Sequence, residues 1–338
     1  MKSKEIRLLS SRVVVGDRKE SLGSYLPHGG RVIVVTEDRL AELYFDFLTD
    51  FEVIRIAGGE EHKNLETVER LVGELVDREA DRTTFLVGFG GGMVCDVVGF
   101  TASVFMRGCR FGFVPTTLLA QVDASVGGKN GVNFHGYKNM IGVFRQPEWV
   151  ICDPTLLRTL EHREFVAGLA EVVKAAIIGD ATLFDYLECH VASILQKEEN
   201  CLLELIAASV AVKVRIVEAD EREGGLRRLL NFGHTVGHAL ERHDCLLHGE
   251  AVSVGMCIVA HWAERFGILH SIDRKRIEHL LTAFGLPIRS TLPVEVWKET
   301  MWKDKKRERS GIHVIFPERV GKCVDRLVEL DELNVLGE

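Results

Sequence analysis

The chain has 338 residues, 46% of them hydrophobic and 27% charged, with a formal net charge of −8. That length suggests two domains and that composition a packed globular protein, while the acidic balance argues against general nucleic-acid binding and leaves room for local basic clusters that hold a small anion. No run of about 18 uncharged apolar residues offers a membrane span, the opening MKSKEIRLLSSR lacks the apolar core of a signal peptide, and eight scattered cysteines without a Cys-x-x-Cys read as reduced thiols of a cytoplasmic protein.

Short β-rich runs come first, at Arg31–Thr36, Glu52–Ile56, Thr83–Val87, Phe111–Val114 and Trp149–Cys152, with helical pattern such as Leu65–Glu79 between several of them. The alternation predicts an α/β domain with a parallel, Rossmann-like sheet covered by helices. After the second run, Gly58–Lys63 (GGEEHK) offers a carboxylate and an ammonium to a ribose or phosphate, although alone it reads first as a solvated loop. Thr83–Val87 runs into GFGGG and then into the helical MVCDVVGFTASVF. Strand, glycine turn and helix N-terminus make a cradle whose free N–H groups favour an anion. The G-x-G-x-x-G pattern is not met, because Gly90 and Gly92 are followed by Cys95, so a plain tight turn and a nucleotide site both stay open. Asp96, one turn into that helix, reads first as an N-terminal acid favoured by the helix dipole.

Pro115–Gly142 is long for a connection and too apolar to be disordered. It is expected to be a functional loop, carrying Asp123, Lys129, Lys138 and Asn139 among its glycines; two lysines and an amide suit an anionic substrate. A packed surface loop with solvated lysines is the alternative. Beyond Asp153-Pro154 the character changes, and from Glu164 onward the pattern is helical until His313–Phe316. The expected organisation is therefore an α/β domain over residues 1–155 and a mainly α-helical one over 156–338, joined near 153–163. A cleft between two such domains commonly takes a small molecule.

The helical half contains NFGHTVGHALERHDCLLHGE, with four of the thirteen histidines in fifteen residues. His234 and His238 stand four apart and share a helix face, and His248 opens the next apolar run. Imidazole is the commonest metal ligand, but a histidine-rich face that packs or meets water fits the same spacing. Asn231, Gly233 and Gly237 are poor helix formers, so something other than helix stability holds them there. A catalytic zinc commonly takes three protein ligands, His and Glu among them. Glu171, within the apolar GLAEVVK, is the best candidate to join the histidines; a salt bridge to Lys174 is the alternative.

Taken together, these segments resemble the 3-dehydroquinate synthase family of sugar-phosphate cyclases. The likeness rests on GGGMVCD at 90–96, FMRG at 105–108, VPTTLLAQVDASVGGK at 114–129, YKNMIG at 137–142, GLAEVVK at 168–174, LLNFGHTVGHALE at 229–241, LHGEAVSVGM at 247–256 and DKK at 304–306. Cys95 departs from the pattern, which has glycine there. The resemblance implies zinc or cobalt on Glu171, His234 and His248. It implies NAD on Glu60, Lys63, Gly91, Gly92, Asp96, Thr116, Thr117, Asp123, Lys129, Lys138 and Thr159. His238, Lys129, Lys174, Lys213 and Asn231 take catalytic roles by this likeness, and Arg107, Asn139, Arg227 and one of Lys305 and Lys306 bind substrate. His238 is thereby the catalytic histidine and not a metal ligand. A homodimer is implied as well, with Arg107 reaching the neighbouring subunit's site.

The implied reaction, a step of the shikimate pathway to aromatic amino acids, turns 3-deoxy-D-arabino-heptulosonate 7-phosphate into 3-dehydroquinate and phosphate. It runs by transient oxidation at NAD, phosphate elimination, re-reduction and intramolecular aldol closure. Another sugar-phosphate cyclase and a metal-dependent polyol dehydrogenase are the rivals within enzymes. A non-catalytic metal- or nucleotide-binding regulator is the rival outside them, and it would need none of the lysines, arginines or His238.

Overall fold

The structure is a computed structural model that describes residues 3–241, 245–293, 295–297, 301, 311–329 and 332. Two compact units divide the chain, Met1–Leu160 and Glu161–Glu338. Among the described residues no helix is long and apolar enough to cross a membrane.

The first unit contains strands β1 (Lys4–Leu8), β2 (Ser11–Val15), β3 (Val32–Glu37), β4 (Glu52–Ile56), β5 (Phe85–Gly90), β6 (Arg110–Pro115), β7 (Lys129–Phe134), β8 (Tyr137–Phe144) and β9 (Trp149–Cys152). Its helices are α1 (Asp38–Leu43), α2 (Phe45–Leu48), α3 (Leu65–Asp77) and α4 (Gly92–Val104). Seven strands form one sheet in the order β1-β2-β9-β6-β5-β3-β4, parallel throughout except for the β1–β2 pair. Strands covered on both faces lose the alternation of polar and apolar residues, and β5, FLVGFG, is buried along its whole length. Phe85 stacks on Trp149 with ring centroids 5.5 Å apart. Gly112 makes that stack possible, since a Cβ there would come within 2.5 Å of the indole. Asn64 caps α3 by accepting from the Thr67 N–H, and Val68, Leu71 and Leu75 form its buried stripe.

Chain order reverses beside β3, with β4 on one side and β5 on the other. In open α/β sheets such a switch point leaves a crevice at the carboxyl ends of the strands, where ligands bind. The Gly90–Gly92 turn lies at that end of β5 and leads into α4. Gly90 has no room for a side chain, because its Cβ would meet Val94 at 2.5 Å.

Two expectations are corrected. The strand read at Thr83–Val87 starts at Phe85, because Asp81 Oδ1 accepts from the Thr83 and Thr84 N–H groups and takes them into a turn. Pro115–Gly142, expected as a loop, folds into a π-helical turn at Ala120–Ala124 and the antiparallel hairpin β7–β8. Its turn is His135-Gly136 with φ of 48° and 81°, the positive pair of a type I′ hairpin; Asn-Gly is the usual signal for it, and its absence hid the turn. The β1–β2 pair had also not been anticipated.

The second unit holds α5 (His162–Gly179), α6 (Ala181–Cys189), α7 (Val191–Leu195), α8 (Glu199–Ala219), α9 (His234–Glu241), α10 (His248–Arg265), α11 (Ser271–Ala283) and the antiparallel pair β10 (Ile312–Arg319) and β11 (Lys322–Val328). Most of α5 is buried, including Glu171 and Lys174. The glycines that are poor for helix stability permit close backbone approach. A Cβ on Gly255 of α10 would stand 2.0 Å from the Gly233 carbonyl oxygen, and one on Gly237 of α9 would stand 3.1 Å from that of Ala251. Gly233 has φ of 79°, which a side chain would strain. Gly249, next to His248, would place a Cβ 1.8 Å from the Ala167 carbonyl oxygen of α5.

Gly249→Ala is therefore expected to cost about 3 kcal/mol or more, because backbone has to move. Gly73→Ala in α3, where a Cβ meets nothing within 4 Å, is expected to gain about 0.5–1 kcal/mol from helix propensity. Urea unfolding of the two variants reads both signs.

Candidate active site

In the first unit the glycine turn delivers α4 with Gly91 at its N-cap and Gly92 as its first residue. Cys95 sits inside the first turn and donates its N–H to Gly91 O at 3.1 Å, so the departure from glycine is absorbed by ordinary helix; burial pushes its thiol well up. Thr116 donates its N–H to Gly90 O at 2.9 Å, and Thr117 Oγ1 accepts from the Ala120 N–H at 3.1 Å. Lys63, buried at the end of the Glu60–His62 turn, reaches Asp96 of α4 at 2.5 Å and Asn139 Oδ1 of β8 at 2.6 Å. Asn133 completes this network: it accepts from the Asn139 N–H at 2.9 Å and donates to Glu60 Oε1 at 2.9 Å.

The structure thus gathers Glu60, Lys63, Asp96 and Asn139. Burial pushes the Asp96 carboxyl up to about 6, against the pull of Lys63. Asp123 lies half-buried in the π-helical turn, and Lys129 and Lys138 are exposed on the hairpin. Thr159 Oγ1 lies 2.7 Å from the Tyr44 hydroxyl. Arg107 is exposed on the turn after α4 and, like Met106, has a left-handed backbone, with φ of 69° and 48°. Asn133 and Tyr44 were missed in the sequence; only their folded neighbours single them out.

In the second unit Glu171, His234 and His248 bring one ligand atom each within 4.8 Å of one another. Glu171 Oε1 lies 3.5 Å from His234 Nε2 and 3.4 Å from His248 Nε2, and its carboxylate is paired with Lys174. His234 Nδ1 stands 3.2 Å from the Phe232 carbonyl oxygen. The carbonyl can only accept, which puts the proton on Nδ1 and the lone pair on Nε2. Burial pushes the Glu171 carboxyl up, yet Lys174 and then His234 and His248 hold it well below the usual carboxylate range. Burial and Lys174 hold His234 well below its usual value. For His248 burial acts the same way, but Glu171 and Glu241 outweigh it and raise the ring to about 9.

The exposed His238 stands one turn beyond His234, with ring centroids 5.2 Å apart. Lys213 is buried on α8. Asp220, just past α8, accepts from the backbone N–H groups of Gly224, Gly225 and Arg227 at 2.9, 2.7 and 3.0 Å. It thereby holds the loop that carries the buried Arg227, whose guanidinium donates to the Glu221 carbonyl. Asn231 donates to Glu223 Oε1 at 3.0 Å. Glu223 and Glu241 are further carboxylates that the sequence did not single out. Lys305 and Lys306 lie outside the described residues.

The donor set fits a divalent metal. Lys174 pairs with Glu171 Oε2, while the buried Oε1, facing both imidazole Nε2 atoms, makes no hydrogen bond of ordinary geometry, an arrangement that a cation at Oε1 completes. Ligands of a tetrahedral zinc, bonded at about 2.0–2.2 Å, stand about 3.3–3.5 Å apart, close to the two Glu171–imidazole separations. The first unit's glycine turn, at a switch point and ending in a helix N-terminus, fits a nucleotide phosphate.

Two solved enzymes share this architecture along the whole chain. The 2-epi-5-epi-valiolone synthase of Streptomyces hygroscopicus subsp. jinggangensis 5008, with NAD+ and Zn2+ bound, superposes with a TM-score of 0.90 at 28% identity, covering 99% of this chain and 98% of that one. A 2-deoxy-scyllo-inosose synthase complexed with carbaglucose-6-phosphate, NAD+ and Co2+ gives 0.88 at 26% identity, covering 99% of each. The fold is that of the sugar-phosphate cyclases, a class of enzymes. Residues 53–167 match the family model described as 3-dehydroquinate synthase N-terminal, and 168–307 the one described as 3-dehydroquinate synthase C-terminal. A 3-dehydroquinate synthase of Campylobacter curvus is 42% identical over 305 residues, 87% of each chain. The chain belongs to the 3-dehydroquinate synthase family.

Lys63→Met should leave the Asp96 carboxylate uncompensated and cost about 2–4 kcal/mol at pH 7.5 in the absence of nucleotide. The double variant with Asp96→Asn should recover most of that. A raised carboxyl pKa favours the folded state at low pH and ceases to do so as pH rises through it, so the loss should shrink at pH 5, where Asp96 takes up a proton. Urea unfolding at the two pH values checks both.

Proposed function

We propose that the protein is a 3-dehydroquinate synthase, converting 3-deoxy-D-arabino-heptulosonate 7-phosphate into 3-dehydroquinate and phosphate. The observation that carries the reading is the 42% identity to a curated enzyme of that name over 87% of the chain, against 28% and 26% to solved cyclases named for other products. In this reading residues 1–155 bind NAD and residues 156–338 hold metal and substrate. The working protein is a cytoplasmic homodimer, with Arg107 reaching the neighbouring subunit's site.

Glu171, His234 and His248 would hold zinc or cobalt. Glu60, Lys63, Gly91, Gly92, Asp96, Thr116, Thr117, Asp123, Lys129, Lys138 and Thr159 would hold NAD. Bound there, the metal would acidify a substrate hydroxyl, and NAD would take a hydride and return it. His238 would shuttle a proton at that hydroxyl, a task suited to an exposed imidazole one helical turn from His234. Lys129, Lys174 and Lys213 supply positive charge and donors to an anionic substrate, and Asn231 and Asn139 supply amide contacts. Arg227 presents the planar fork that matches the substrate carboxylate, with one of Lys305 and Lys306 completing the set. Much of the catalysis is proximity, one reactive conformer held among fixed groups.

Purified protein given the heptulosonate phosphate and NAD should release phosphate and 3-dehydroquinate in equal amounts without a build-up of NADH absorbance. Sedoheptulose 7-phosphate, which lacks the carboxylate, should be at least about a hundredfold poorer in kcat/KM, roughly 2.7 kcal/mol. Comparable turnover of both sugars would move the protein to another cyclase, and stoichiometric NADH to a dehydrogenase.

His238→Ala should keep its zinc while losing about 10²–10⁴-fold in turnover. His234→Ala should lose the metal. Atomic absorption beside the activity assay separates the roles, and equal zinc loss in the two variants contradicts them.

A further inference from the structure

His234 and His248 present themselves to Glu171 in the same way. Each turns Nε2 toward Glu171 Oε1, at 3.5 and 3.4 Å. Each turns Nδ1 toward another oxygen, the Phe232 carbonyl at 3.2 Å for His234 and Glu241 Oε2 at 3.7 Å for His248. An imidazole ligates through one lone pair, and the group that holds its other nitrogen sets tautomer and ring orientation. For His234 the main chain does this. For His248 the oxygen belongs to a side chain that α9 delivers by its own periodicity: His234, His238 and Glu241 fall at i, i+4 and i+7, on one helix face. The Glu241 side chain is only 11% exposed, so water competes weakly for its carboxylate.

We propose that Glu241 is a positioning residue of the metal centre, accepting the Nδ1 proton of His248 so that Nε2 faces the same point as Glu171 and His234 Nε2. This rests on the reading of Glu171, His234 and His248 as the metal ligands. A different arrangement uses the same carboxylate directly, since His238, Glu241 and His248 also bring ligand atoms within 4.8 Å of one another, and the test distinguishes the two.

Metal-stripped full-length protein is titrated with zinc against a chromophoric chelator. The unmodified protein takes up about one zinc per chain. Glu241→Ala keeps that stoichiometry with an affinity about 10–100-fold lower, while Glu241→Gln, whose amide oxygen still accepts, loses less. His248→Ala lowers the affinity by itself, and Glu241→Ala added to it causes no further loss, because Glu241 acts through that ring. Far-UV circular dichroism at the titration temperature shows metal-free Glu241→Ala folded like the unmodified protein. Should His248→Ala fail to fold, the visible bands of the cobalt-loaded protein serve instead, and Glu241→Ala shifts them at unchanged stoichiometry. Unchanged zinc affinity in Glu241→Ala, or an equal loss on the His248→Ala background, overturns the proposal. So does a second zinc equivalent that vanishes with Glu241, which makes that carboxylate a ligand. No zinc uptake by the unmodified protein sinks the metal reading itself, and the proposal with it.

Discussion

A carboxylate 2% exposed on an apolar helix is the constraint around which the helical unit is arranged. Glu171 is surrounded by Lys174 of its own helix and by two imidazoles from α9 and α10. An isolated buried charge would be costly enough to shift its pKa and neutralise. Here Lys174 and the raised His248 prevent that, beside a neutral His234, and the group stays an anion. The price of that order is that the cluster depends on every member. Removing one partner of a buried charged set leaves the others uncompensated, which is far worse than replacing the whole set by apolar residues.

That dependence explains why the helices meet so closely. Three contacts fix where the imidazoles stand: Gly249 of α10 on the Ala167 carbonyl of α5, Gly255 on the Gly233 carbonyl, and Gly237 on the Ala251 carbonyl. Each is a contact between main chains, so it yields little. Ligand placement to within a fraction of an ångström is what a metal or an acid–base pair asks of its scaffold. In the other unit the glycines act differently. Gly90 relieves a tight turn and Gly112 makes room for an indole, so they serve the sheet and the entry to α4.

Much of this was legible in the sequence, for physical reasons. The buried parallel strand β9 is a short apolar run bounded by turns, and the edge strand β4 alternates apolar residues with Glu52 and Arg55, so the limits of both were read directly. Glu171 announced itself as a carboxylate in an apolar helix, and the poor helix formers around His234 announced a constraint other than helix stability. What stayed hidden were features set by partners distant in sequence. The β7–β8 hairpin has a His-Gly turn and strands diluted by Lys, Asn and Gly, so its period is weak. Asn133, Tyr44 and Glu241 are ordinary residues until the fold brings Lys63, Thr159 and His248 to them. The resemblance to a family supplied roles that spacing could not, such as the different parts given to His234 and His238.

The segment bearing Arg227 is held quite unlike the imidazoles. Asp220 grips it through three backbone N–H groups, and a side chain, not the packing of two main chains, sets its course. A loop fastened at one carboxylate can be recut by a few substitutions without disturbing the helices behind it, whereas a glycine contact tolerates none. The course of the Arg227 segment can therefore be altered while the glycine-packed helices around Glu171 keep their places.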